Sequence, residues 1–94
     1  MRKTVDKRSP SAAAIVGDAV YNRVLEIVRR VLRSGDVDPA LDFLDNGASS
    51  LALVHIVELV RSECGADVWI TDALDALDIE SFARLVVARS HDSA

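Results

Sequence analysis

Ninety-four residues, half of them apolar but only four aromatic, fit one small domain with a core of small aliphatic side chains. Cys64 is the only cysteine, so an intramolecular disulfide is excluded, and a reduced, cytoplasmic setting is expected. The net charge is −4, but residues 1–8 carry +3 (four basic residues against Asp6), which leaves −7 on residues 9–94. An acidic body argues against nucleic acid, whose phosphates would repel it, and suits partners with basic docking surfaces.

Residues 1–10 read as a disordered basic tail ending in Ser9-Pro10. They lack the long apolar region that a secretory signal requires, and no apolar run in the chain reaches membrane-spanning length. A globular domain is expected over residues 11–89. Its first helix is predicted from Ser11 to Leu32, because Val20, Val24, Ile27, Val28 and Val31 recur at steps of three and four. Gly17 weakens its start, so the well-packed part is expected from about Asp18. Ser34-Gly35 is the expected stop signal.

A loop follows over residues 36–49, DVDPALDFLDNGAS. A loop this long in so small a domain is uncommon unless it is functional or held down by its own apolar residues. Leu41, Phe43 and Leu44 are the expected anchors. The second helix is predicted from Leu51 to Cys64 and is ended by Gly65. Its core stripe is Leu53, Ile56, Val57, Val60 and Cys64, with Leu51, His55, Glu58 and Ser62 opposite. Leu51 and Val54 are apolar yet off that stripe, beside Ser50. Burial inside the domain does not explain them, so they are read as a docking patch, with Asp45 and Glu58 supplying charge.

Residues 66–70, ADVWI, are expected to be an extended loop packed on the bundle, since no second strand candidate exists to pair with them. Thr71 is the expected cap of a single turn over residues 72–76, and Asp78 of a last helix, Ile79 to Arg89. Ile79, Phe82, Ala83 and Val86 form its buried stripe. Residues 90–94 read as a polar tail. Trp69 and Cys64 are both expected in the core. The fold class is therefore all-α, a small four-helix bundle of three longer helices and one short one.

The stretch Phe43, Asp45, Gly47, Ala48, Ser49, Ser50, Leu51 resembles the attachment motif of acyl and peptidyl carrier proteins. That motif has an apolar or aromatic residue, an acidic residue, a glycine, two variable positions, then Ser-Leu opening a helix. The resemblance spans about Val20 to Val87. It implies that Ser50 carries a covalent 4′-phosphopantetheine arm, taken from coenzyme A by a phosphopantetheinyl transferase. The arm's thiol would hold an acyl or aminoacyl group as a thioester for loading and downstream biosynthetic enzymes. Only Ser50 has glycine at minus three and leucine at plus one. Ser49 is then a variable position or the helix cap. The family usually has Asp or His just before the serine, and here Ser49 stands there.

The second helix lacks the acidic run typical of fatty-acid carriers, having Arg61 between Glu58 and Glu63. The resemblance thus implies a free-standing, monomeric, non-catalytic carrier in polyketide or nonribosomal peptide biosynthesis. The rival reading from another class is a helical interaction module that carries no group. A hydrolase built on Ser50 fits poorly. Ala48 and Ala52 replace the glycines of the nucleophile elbow, and His55 and His91 are badly placed as bases. Asp42 and Asp45 are too sparse for a metal loop and read as a solvated acidic rim.

Overall fold

The computed structural model describes residues 12–90, with side chains from residue 17 onward. The expectations for residues 1–11 and 91–94 lie outside the described residues. Four helices are present among them: α1 (Ala12–Leu32), α2 (Ser50–Cys64), α3 (Ile70–Asp75) and α4 (Ile79–Arg89). α1 packs on both α2 and α4, and the short α3 packs on α2. None is long and apolar enough to cross a membrane.

The stripes read from periodicity form the core. Val20, Val24, Ile27 and Val28 of α1 are buried, with Leu25 added and Val31 only half-buried. All five expected residues of α2 and all four of α4 are buried. Each large apolar side chain fully buried this way stabilises the fold by about 1.5–3 kcal/mol, which makes these stripes the main favourable term. Phe82 is fully buried and meets the Phe43 ring edge-on, with centroids 5.4 Å apart.

The end of α1 and the start of α3 depart from expectation. At the end of α1 the left-handed residue is Arg33 (φ 55), not Gly35. The Ser34 N–H reaches back to the Arg29 carbonyl at 3.1 Å, which closes the helix and offsets the strain of a side chain in that conformation. α3 begins at Ile70, so Thr71 lies inside it. The cap position is Trp69, whose N–H donates to the Asp72 carboxylate at 2.8 Å.

Trp69 itself is 51% exposed rather than buried. It lies under the Arg61 guanidinium, 3.8 Å from the ring centroid, and this stacking takes the place of core burial. Val68, its neighbour, fills the core instead. Of the three expected loop anchors only Phe43 is buried. Leu41 and Leu44 face solvent, and Ala48 fills the remaining space.

The extended segment after α2 does find a partner. Ala66 forms an isolated antiparallel bridge with Ser90. The Asp67 N–H donates to the Arg89 carbonyl, and Ser90 Oγ donates to the Cys64 carbonyl at 2.9 Å. Ser90 is therefore buried and belongs to the bundle. Across the other face, Glu63 of α2 meets Arg23 and Arg30 of α1 at 3.5 and 3.1 Å. Such partly exposed pairs contribute about 0–1 kcal/mol each.

Candidate functional site

The loop from α1 to α2 is held at both edges by hydrogen bonds. Residues 43–47 make one turn in which Gly47 N–H donates to the Leu44 carbonyl and Ala48 N–H to the Phe43 carbonyl, both at 2.9 Å. That pair of bonds is the glycine-terminated stop otherwise found at helix ends. It requires a positive φ, and Gly47 supplies it at 90°. Phe43 and Ala48, which the stop brings together, are both buried.

Asn46 ties the two halves of the loop. Its Oδ1 accepts from Asp38 N–H at 2.8 Å, and its Nδ2 donates to the carbonyls of Asp38 and Asp42 at 3.0 and 2.8 Å. The loop also closes the start of α4. The N–H groups of Ile79 and Glu80 donate to the carbonyls of Leu41 and Pro39 at 3.0 and 2.9 Å. First-turn N–H groups have no partner inside their own helix, so these bonds satisfy α4 and fix the loop together. Asp42 is half-buried, and its Oδ1 accepts from Asp45 N–H at 2.7 Å. It acts as a turn former.

On this platform the two serines differ. Ser49 is the cap of α2: it is extended (φ −81, ψ 169), and its Oγ accepts from Ala52 N–H at 3.1 Å. Ser50 is the first helical residue, one position earlier than the expected start. It is exposed, and its hydroxyl makes no hydrogen bond among the described residues. A Cβ placed on Gly47 would meet nothing within 4 Å, so the ground before Ser50 is open.

The residues singled out for docking are at the surface. Leu51 is 79% and Val54 45% exposed, and Asp45 and Glu58 are exposed too, with Glu58 paired to Arg61 at 3.7 Å. Leu44 and Leu74 add apolar surface on the α3 side. His55 is exposed and lines an open depression with Val31, Ser49, Leu51 and Ala52. No hydrogen bond joins it to a serine among the described residues. No group of three or more His, Cys, Asp or Glu among them could hold a metal ion.

Sequence reasoning missed Asn46, Ala48 and the Trp69–Arg61 stack. Asn46 had a signal: an amide with four hydrogen-bonding sites in a loop short of secondary structure. Ala48 and the stack had none, because both depend on which elements meet in space.

The site fits a covalent phosphate ester on chemical grounds. The free hydroxyl lies in the first turn of α2, where the exposed N–H groups and the helix dipole favour negative charge. A family model described as the phosphopantetheine attachment site matches residues 22–86, more than half of the chain and the whole of this platform. Its domains take covalently bound 4′-phosphopantetheine, work with phosphopantetheinyl transferases and biosynthetic enzymes, and are typically not catalytic. Comparison with curated proteins finds no match.

Proposed function

Because the chain belongs to the phosphopantetheine attachment-site family, we propose that Ser50 is the residue that bears the arm. The observation that carries this is the division of labour between the serines. Ser49 spends its oxygen on the Ala52 N–H, and the next hydroxyl is left exposed at the start of the helix. Ser50 Oγ would lose its proton to the transferase and bond to the phosphorus that coenzyme A releases from its nucleotide half. When bound, the group supplies a thiol that holds an acyl or aminoacyl unit as a thioester. The chain's own part is address and reach, and the chemistry on the cargo belongs to other enzymes.

The carrier serves polyketide or nonribosomal peptide assembly as a monomer in the cytoplasm, and is not itself an enzyme. What supports the pathway is the mixed charge of α2. Glu58 is paired with Arg61, and Glu63 is engaged by two arginines of α1, so α2 has no acidic stripe of the fatty-acid type. Partners dock around Ser50 through Leu51 and Val54, with Asp45 and Glu58 at the rim. Their exposure supports this, since apolar side chains at these positions add nothing to the core.

Intact mass after incubation with coenzyme A and a promiscuous phosphopantetheinyl transferase tests the reading. One phosphopantetheinyl addition is expected, located by fragmentation to Ser50. No addition would leave the helical interaction module as the function, and an addition at Ser49 would overturn the register.

A further inference from the structure

Asn46 and Gly47 form the single Asn-Gly pair in the chain. Such a pair is labile in an open chain, because glycine has no side chain to hinder attack by its backbone nitrogen on the preceding side-chain amide. The turn needs glycine here for its φ of 90°, so the fold keeps the residue that makes Asn46 labile. In the folded loop both reacting groups are held. The Gly47 N–H, which must lose its proton to attack, donates to the Leu44 carbonyl at 2.9 Å. Asn46 Nδ2, which must leave, donates to the carbonyls of Asp38 and Asp42 at 3.0 and 2.8 Å, and Oδ1 accepts from Asp38 N–H at 2.8 Å. Attack brings Asn46 Cγ onto Gly47 N and expels Nδ2, so it requires these bonds to break.

We propose that Asn46 is a site of spontaneous deamidation, which the folded loop withholds and which disables the platform under Ser50 once the loop has opened. Gly47 N gives its proton to solvent base and bonds to Asn46 Cγ. The Cγ–Nδ2 bond breaks, and ammonia leaves with a proton from solvent. Water then opens the cyclic imide at either carbonyl, leaving aspartate or its β-linked isomer at position 46 and a gain of one mass unit. The loss of ammonia makes the change one-way. A carboxylate only accepts hydrogen bonds, so the product cannot donate to the Asp38 and Asp42 carbonyls and turns negative charge toward both. A transient opening of the loop is thereby made permanent. The effect on priming rests on Ser50 being the attachment residue, whereas the lock on Asn46 does not.

The test holds the full chain in mildly alkaline buffer, with and without denaturing guanidinium chloride, and follows deamidation by mass spectrometry with fragmentation. In denaturant Asn46 should react while Asn22, which precedes Arg23, stays intact. In the folded chain Asn46 should react about tenfold or more slowly, since only the opened fraction is reactive. Equal rates at Asn46 in the two conditions would overturn the lock. Asn46→Asp reproduces the product: its Asp38 amide should exchange faster and its Ser50 should be primed several-fold more slowly. Native-like exchange at Asp38 in this variant would overturn the damage to the platform. The rate comparison uses the native sequence and does not depend on how the variant folds. Failure of the unmodified chain to be primed would remove the attachment reading alone, because deamidation and amide exchange are read without the arm.

Discussion

Asn46 and Asp38, eight residues apart in the loop before α2, pair in both directions. The Asn46 Oδ1 takes the Asp38 N–H at 2.8 Å, and its Nδ2 gives to the Asp38 carbonyl at 3.0 Å. This side chain does the work of a missing strand partner, satisfying backbone groups that no secondary structure reaches. Asn46→Ala should cost about 0.5–1.5 kcal/mol, the net range for hydrogen bonds whose groups water can still reach. Helix content should persist in circular dichroism. Amide exchange at Asp38 should accelerate, and Ser50 should be primed more slowly because its platform is loose. Unchanged exchange at Asp38 would show that the pairing is dispensable.

The two serines separate by experiment. Ser49→Ala removes the α2 cap and should cost about 0.5–2 kcal/mol in a denaturant melt while priming continues. Ser50→Ala should remove priming and leave both the helix content and the cooperative melt native-like. A largely unfolded Ser50→Ala protein would show that this residue is structural.

Core and surface leucines should behave oppositely. Phe82→Ala empties the space under Phe43 and should cost about 3–5 kcal/mol, and Leu53→Ala about 2–5 kcal/mol. Leu51→Ala should leave Tm nearly unchanged and weaken loading by the cognate enzyme, by about 2 kcal/mol or more if it is a hot spot. Raising salt should slow that association, because screening shortens electrostatic reach to about 8 Å at physiological ionic strength. Several kcal/mol of destabilisation in Leu51→Ala would move this residue into the core and end the docking assignment.

Asp78 gives the fold an acid-sensitive cap. Hydrogen bonds from Ser81, side chain first and backbone second, hold its carboxyl below the ordinary aspartate value. A depressed folded-state value means that the stabilisation is complete above the ordinary value. It is lost as pH falls from there through the lowered one. Tm should therefore fall in that acidic window. Asp78→Asn keeps a capping oxygen and should flatten this part of the profile, whereas Asp78→Ala should lower Tm at neutral pH as well. An Asp78→Asn profile identical to the native one would assign the acid sensitivity to other groups.

By itself the sequence determined the helices and their buried faces. Every residue of the α2 and α4 stripes is where its spacing predicts, because a side chain's direction around a helix follows from its position alone. The same local logic marked the Gly47–Leu51 platform and the cap Asp78, since capping acts over three residues, and the structure decided between the two readings of Ser49 in favour of the cap. The loop anchors, the end of α1 and the environment of Trp69 were decided only by the tertiary structure. Leu41, Phe43 and Leu44 are equally apolar in one dimension. Only Phe43 is aimed at Phe82 by the turn that Gly47 closes, and the backbone carbonyls of Leu41 and Pro39 serve α4 while the Leu41 side chain stays outside. Trp69 stays at the surface, where Arg61, eight positions earlier and on another element, stacks on its face.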